Sequence, residues 1–175
     1  MSPSERRNEL LNKLQNSQSP ITGSDLAALF EVSRQVIVQD IALLRAEGHE
    51  ILATSKGYII SAADNNNMVQ QIIACQHGVD SQDVHKELET IIKYGGRIAD
   101  VVVEHPMYGE LKGRLVIQSQ SDLADFMEAY RKKEVKPLST LTDGVHLHTI
   151  EALNEEVLTL IKTKLKEKGY LLEDY

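Results

Sequence analysis

The sequence predicts an α+β protein built from two domains. Residues 1–62 carry helical periodicity and end in two short β-prone runs, whereas residues 68–175 alternate between strand-like and helix-like segments. Residues 61–67 (SAADNNN) are small and polar and show no periodicity, which is typical of a linker. A chain of 175 residues is long enough for two small domains of this kind.

The composition is that of an ordinary globular protein from a reducing compartment. Hydrophobic residues make up 42% of the chain and charged residues 26%, and no apolar run is long enough to span a membrane. Cys75 is the single cysteine, so no internal disulfide can form. The opening residues (MSPSERRNELLNKL) lack the apolar core of a signal peptide. We therefore expect a cytoplasmic protein without a membrane partner.

Residues 24–48 indicate a helix-turn-helix. A short helix (about 24–30) and a two-residue turn precede a longer helix, which begins at Ser33 and ends at Gly48. The hydroxyl of Ser33 can cap the longer helix. One apolar stripe, three and four residues apart, faces the core in that helix: Ile37, Ile41 and Leu44.

A hairpin signal after this motif completes a winged helix-turn-helix. Two short β-prone runs flank the residues TSKG, and the longer helix is the element that would enter the major groove. Glutamines can hydrogen-bond adenine, arginine can bind guanine or phosphate, and a lysine at the wing tip can bind phosphate. The predicted DNA-binding residues are Ser33, Arg34, Gln35, Gln39 and Lys56.

The charge of this region does not by itself support DNA binding. Residues 1–62 hold six Lys/Arg and seven Asp/Glu, a net charge of -1, and the whole chain carries -7. This balance argues against indiscriminate binding of nucleic acid. A small helical domain with no DNA role is the alternative interpretation, and the order of the elements favours the helix-turn-helix.

The second region predicts helices packed on one face of a mostly antiparallel sheet. Strand, helix, strand, turn, strand, helix, strand and helix follow one another from residue 68 onward. A ferredoxin-like α/β sandwich is the simplest arrangement of these elements. The region contains neither a P-loop nor a GxGxxG motif, so we expect no phosphate cradle of either kind.

The residues GVHLHTIE place two histidines one residue apart on a predicted strand. Side chains alternate along a strand, so His146 and His148 point to the same face. Two neighbouring imidazoles repel each other when both are protonated, but they suit one metal ion when neutral. The alternative is the polar outer face of an edge strand.

Two further residues could join the histidine pair. His77 lies at the end of a predicted strand, and Glu87 falls inside the apolar stripe of the next helix, where a carboxylate is costly unless it is paired. Three nitrogens and one oxygen suit Zn²⁺, Ni²⁺, Fe²⁺ or Co²⁺. In the alternative, His77 bonds only to backbone and Glu87 reaches water. Cys75 is either a small buried hydrophobe or a neighbour able to approach a soft metal.

The stretch VEHPMYGE predicts a rigid turn at a strand end. His105 and Tyr108 could face a small ligand there, or they could simply hold the turn together. The residues themselves leave both interpretations open.

Taken together, these stretches resemble one family, the niacin-responsive transcriptional repressors of NAD biosynthesis and nicotinate uptake genes. The resemblance rests on SRQVIVQDIALLR, GGRIADVVVEHPMYGE and GVHLHTIE, and it covers nearly the whole chain. It implies that the second region is a 3H domain. The metal ligands it implies are His77, Glu87, His146 and His148. The chain is two residues longer than the family pattern between the first two ligands, which leaves His85 as an alternative to Glu87.

The resemblance also implies a mechanism. Nicotinic acid would act as corepressor beside one divalent metal ion, nickel or zinc, and a homodimer would bind operator DNA. The ligand pocket could be completed by His105, Tyr108 or Arg97. In a second hypothesis the metal ion is itself the signal. A metal-dependent enzyme is a third, but no additional general base accompanies the proposed ligands, so we expect a protein that is not an enzyme.

Overall fold

The computed structural model describes residues 1–60, 68–132 and 136–173. The chain divides into two compact units, Met1–Asn65 and Asn66–Tyr175. The predicted linker at 61–67 lies outside the described residues. No helix in the described part is both long and apolar enough to cross a membrane.

The first unit has three helices and a hairpin, and its second and third helices and the hairpin are those that the sequence predicts. Its elements are α1 (Pro3–Gln15), α2 (Gly23–Leu29), α3 (Arg34–Ala46), β1 (Ile51–Thr54) and β2 (Gly57–Ile60). Ser33 caps α3 because its Oγ accepts a hydrogen bond from the amide of Val36 at 3.3 Å. The predicted stripe of α3 is buried against α1 and α2. The core that they form includes Leu10, Leu14, Leu26, Ile37, Ile41 and Leu44.

The hairpin β1–β2 forms the wing. Thr54 pairs with Gly57, so the loop between them has only two residues. The amide and carbonyl of Ile21 both hydrogen-bond Tyr58 of β2, at 2.9 and 2.8 Å. A side chain at Gly57, whose φ is +124°, would overlap the carbonyl oxygen of Ile21, so this position requires glycine.

The second unit contains a four-stranded antiparallel sheet and three helices. Its elements are β3 (Val69–Gln76), α4 (Ser81–Lys93), β4 (Arg97–His105), β5 (Gly109–Ile117), α5 (Gln120–Lys132), a 3-10 turn (Leu138–Thr142), β6 (Val145–Ala152) and α6 (Glu155–Glu167). The spatial order of the strands is β3-β6-β4-β5.

The α+β class is confirmed, and the strand order refines the ferredoxin-like prediction. The elements follow one another as β-α-β-β-α-β with one more helix, which is the ferredoxin-like sequence of elements. However, the strand between β3 and β4 is the last one, β6, rather than the third. The order of elements along the chain does not determine which strand fills that position, so the sequence alone did not distinguish the two.

All three helices cover the same face of the sheet. Burial alternates along β6, where His146, His148, Ile150 and Ala152 are buried and the intervening residues are half-exposed. Ile150 and Ala152 belong to the core that includes residues of α4, α5 and α6. The two histidines therefore point toward the helices, not toward solvent.

The outer edge of β3 is covered by the end of the chain. The amide of Gln76 donates to the carbonyl of Tyr170, and the amide of Leu172 donates to the carbonyl of Ala74, both at 2.9 Å. Leu171 forms a β-bridge with Cys75. This pairing satisfies backbone groups that an edge strand would otherwise expose.

Candidate functional site

Four side chains that are distant in the sequence converge on the helix-covered face of the second unit. His77 follows β3, Glu87 lies on α4, and the histidine pair lies on β6. The carboxylate of Glu87 is 2.6 Å from Nε2 of His77, 3.1 Å from Nε2 of His146 and 3.6 Å from Nε2 of His148. Glu87 is only 1% exposed, and each histidine of the pair 3%.

The other ring nitrogen of each histidine is anchored to the backbone. A carbonyl can only accept, so each Nδ1 carries the hydrogen. The acceptors are the carbonyls of Gly78 for His77 (2.6 Å), Gly144 for His146 (2.8 Å) and Asp100 for His148 (2.6 Å). When the rings are neutral, each Nε2 therefore presents a lone pair to the centre, as a metal-ligating histidine does.

The charges at this centre depend on one another. Burial raises the pKa of Glu87, but the facing imidazoles, His148 foremost, outweigh burial and hold this pKa well below its ordinary value. Burial would lower the pKa of His77 and of His148, yet their contacts with Glu87 reverse the sign and raise both pKa values. Without another cation, protons on the imidazoles must compensate the buried carboxylate.

The donor set fits a divalent transition metal. If all three imidazoles were neutral, the lone pairs of their Nε2 atoms would face the carboxylate oxygens of Glu87 at 2.6–3.6 Å and repel them. A shared cation, or protons on the imidazoles, must relieve this repulsion. Imidazole and carboxylate together suit zinc or nickel and are too rich in nitrogen for Mg²⁺ or Ca²⁺. His85, the predicted alternative ligand, is half-buried on α4, whereas Glu87 contacts the three imidazoles.

Gly144 permits the close approach of two parts of the site. Its φ is +86°, and a side chain at this position would overlap the carbonyl oxygen of His77. Tyr170 packs edge-on against His77, with ring centroids 5.1 Å apart, and its hydroxyl donates to Asp83 at 3.1 Å. His77 is thereby fixed on the side that faces the end of the chain.

Asp100 is a residue of the site that was not predicted from the sequence. Its carbonyl accepts from His148, and its carboxylate accepts from the amide of Thr149 at 3.0 Å. Lys112 forms an ion pair with the same carboxylate at 3.0 Å. The pairing register of β4 shifts between Ile98 and Asp100, so this carboxylate holds the irregular segment whose carbonyl orients His148. An aspartate within the apolar run IADVVV was the available signal.

The residues predicted to complete a ligand pocket do not lie together. Arg97 begins β4 and His105 ends it, eight residues and about 26 Å apart at roughly 3.3 Å per residue. Nδ1 of His105 accepts from the amides of Met107 and Tyr108 at 3.1 and 3.4 Å, and the rings of His105 and Tyr108 stack 5.0 Å apart. These contacts hold the turn together. Because the two ends of β4 lie about 26 Å apart, one pocket within a chain cannot use both of them.

The residues predicted to contact DNA lie on α3, at its cap and on the wing. Arg34, Gln35 and Gln39 are exposed on α3, and the Ser33 hydroxyl is engaged in capping. A side chain at Gly23 would contact Nε of Arg34 at 3.4 Å, so this arginine extends along the start of α2. The fifth of these residues, Lys56, is half-exposed in the wing loop.

The first unit thus has the architecture of a helix-turn-helix DNA-binding protein, and the second that of a separate sheet domain with a buried polar centre. Comparison with known families matches residues 6–59 to an HTH domain and residues 70–174 to the 3H domain. The probable transcription repressor NiaR of Thermotoga maritima is 41% identical over 97% of this chain and 95% of its own length. The transcription repressor NadR of Bacillus subtilis is also 41% identical, over 97% of this chain and 94% of its own length.

The chain therefore belongs to the family of transcription repressors that join an HTH domain to a 3H domain. The family resemblance inferred from the sequence is confirmed. The members compared are named as repressors, which agrees with the prediction that this protein is not an enzyme.

Proposed function

We propose that this protein represses genes of NAD biosynthesis and niacin uptake, with nicotinic acid as corepressor sensed at a metal centre in the 3H domain. The observation that carries the metal part is the convergence of three backbone-anchored imidazoles on one buried carboxylate. The nicotinic acid part rests on the resemblance of the chain to niacin-responsive repressors. It is a cytoplasmic function without a membrane partner.

In this proposal α3 reads operator DNA. Gln35 and Gln39 lie about one helical turn apart on the exposed face and donate to adenine edges. Arg34 and Lys56 bind guanine or phosphate, and Ser33 keeps the first turn of α3 in place. Because such proteins bind paired half-sites about 34 Å apart, the acting species is a homodimer.

The metal ligands of the proposal are His77, Glu87, His146 and His148. A bound divalent ion would supply an open coordination position for the pyridine nitrogen or the carboxylate of nicotinate. The chain itself fixes the ligand tautomers through the carbonyls of Gly78, Gly144 and Asp100. His105, Tyr108 and Arg97 remain candidates for the rest of the effector pocket, although the two ends of β4 cannot share one pocket within a chain.

The effector acts by favouring the DNA-competent state of the dimer. Its influence on DNA affinity cannot exceed the difference in its own affinity for the two states. A coupling free energy of about 1–3 kcal/mol, or roughly 5- to 150-fold in DNA affinity, is the expected size.

The test is calorimetric titration of nicotinate into the zinc-loaded protein and into a zinc-treated His146→Ala/His148→Ala variant. We expect binding by the parent protein and none by the variant. His85→Ala is the matched control, because it removes a histidine of the same domain that lies outside the converging set. Equal binding by all three proteins would separate nicotinate from the metal centre.

The burial of the centre favours a second candidate, a repressor for which the metal ion is itself the signal. Glu87 and the histidine pair are nearly inaccessible, so an ion alone could complete the charge of the site. Operator binding measured with zinc or nickel alone, and then with nicotinate added, separates the two. Full repressor affinity with metal alone supports the second candidate, and a requirement for nicotinate supports the first.

A further inference from the structure

Cys75 belongs to the core of the second unit, and it also lies beside the proposed metal centre. It is paired directly with His146 across β3 and β6. Residues opposite each other on antiparallel strands have Cβ atoms about 4.5–5.5 Å apart on the same face. The ligand atoms of Cys75, Glu87 and His146 all lie within 4.8 Å of one another.

The orientation of the thiol separates two interpretations. As a small hydrophobe, a fully buried cysteine would turn its sulfur toward apolar neighbours such as Ile73 and Ile150. Instead, Sγ of Cys75 lies within 4.8 Å of a carboxylate oxygen of Glu87, the group on which the three imidazoles converge, and of a ring nitrogen of His146. The sulfur therefore points toward the polar centre.

We propose that Cys75 is a fifth donor of the metal centre and that its sulfur determines which metals the site prefers. This inference rests on the proposed metal site and adds to it a ligand from β3. As the bond from Sγ to the ion forms, the S–H bond breaks and its proton leaves to solvent. The donor set becomes three nitrogens, one oxygen and one sulfur.

A thiolate changes the chemistry of the site in two ways. Sulfur is a soft ligand and favours zinc and cobalt over manganese and magnesium, which prefer oxygen. It also occupies a position on the sheet side of the centre, so an effector must coordinate from another side. The expected bond is about 2.3 Å to sulfur against about 2.0–2.1 Å to nitrogen, a difference that X-ray absorption resolves.

The experiment is a Co²⁺ titration of the full-length protein, followed by absorption spectroscopy. Visible d–d bands report that the ion is bound, and a near-ultraviolet sulfur-to-cobalt charge-transfer band reports the thiolate. We expect both features in the parent protein, and only the d–d bands in Cys75→Val, which has a similar side-chain volume. The preference for zinc over manganese should fall in that variant, because the soft sulfur donor is lost.

The possible results test separately whether Cys75 is a ligand and whether the metal centre exists. Cobalt bands without charge transfer in the parent protein would remove Cys75 as a ligand and leave the metal centre standing. Absence of d–d bands at saturating cobalt, in a parent protein shown by circular dichroism to be folded, would overturn both. Cys75→Ser serves as the second variant if Cys75→Val fails to fold, and it too must lose the charge-transfer band.

Discussion

In each unit of this repressor a carboxylate is buried on the inward face of a helix, and the two carboxylates have different kinds of partner. Asp40 on α3 is 3% exposed and forms an ion pair with Arg6 of α1 at 2.6 Å, with a second hydrogen bond at 3.2 Å. Glu87 on α4 is 1% exposed, and its ion-pair partners among the described residues are three histidines.

The difference between the partners separates a structural ion pair from a centre able to respond. An arginine stays charged at every physiological pH, so Asp40 is compensated by the chain alone. Imidazoles lose their protons near neutrality, so the compensation of Glu87 depends on pH or on a bound cation. The carboxylate of α3 therefore holds α1 and α3 together, whereas that of α4 would make the 3H domain respond to pH or to a bound cation.

The sharpest test of this comparison is a pair of isosteric variants, Glu87→Gln and Asp40→Asn. Zinc at a hundred times its dissociation constant should stabilise the parent protein against unfolding by about 2.7 kcal/mol. Glu87→Gln should lose nearly all of this gain, and Asp40→Asn should keep it while lowering the stability of the metal-free protein. Urea unfolding with and without zinc measures both effects, and an equal zinc gain in the two variants would contradict the comparison.

The stability of the metal-free protein should depend on pH in two ranges, one set by Glu87 and one set by His77 and His148. The pKa of Glu87 is lowered, so its stabilisation is present above its ordinary pKa of 4.5 and is lost as the pH falls through the folded value. The pKa values of His77 and His148 are raised, so their stabilisation is present below 6.5 and is lost as the pH rises through the folded values.

The metal-free 3H domain should therefore be most stable between pH 4.5 and 6.5. Unfolding by urea from below pH 4.5 to above pH 6.5, with a chelator present, measures the curve. The same curve for Glu87→Gln should be flatter on both sides. A maximum that survives in Glu87→Gln would assign the pH dependence to other groups.

Asp100→Asn tests the support of the centre with a smaller expected effect. The amide side chain keeps an oxygen for Thr149 but loses the charge that pairs with Lys112, so the carbonyl that orients His148 is held less firmly. Loss of such support typically costs about 10- to 100-fold in metal affinity. Zinc competition with a chromophoric chelator measures the change, and Glu104→Gln, an exposed position on the same strand, is the control.

On the DNA side, single substitutions should act one contact at a time. Gln39→Ala should cost about 1–3 kcal/mol in operator binding and relax the preference for one base pair. Lys56→Ala should weaken binding to all sequences similarly and reduce the salt slope by about one. Binding titrations at several salt concentrations separate the effects of the two substitutions. If Lys56→Ala and the parent protein had the same salt slope, Lys56 would not contact phosphate.

The sequence predicted those parts of the molecule that repeat a local period. The helix-turn-helix, the common face of His146 and His148, and the position of Glu87 inside an apolar stripe all follow from periods of 3.6 and 2. Asp40 carried the same signal, three residues after Ile37, but its meaning depends on Arg6, which lies 34 residues away.

What the sequence could not supply came from the tertiary structure. The anchors of the histidines are backbone carbonyls, which have no signature in residue identity, and the one from Asp100 exists because of an irregular register in β4. The central position of β6 and the pairing of Leu171 with Cys75 likewise depend on how the strands assemble.

Nitrogen-15 NMR of the histidine rings, before and after one equivalent of zinc, tests the central claim most directly. We expect that Nδ1 of His77, His146 and His148 stays protonated throughout, while the Nε2 signals of all three shift together when zinc binds. His105 is an internal control, because its Nδ1 accepts from backbone amides and its signals should not respond. Nε2 signals of the three histidines that stay unchanged on addition of zinc would contradict a shared metal centre.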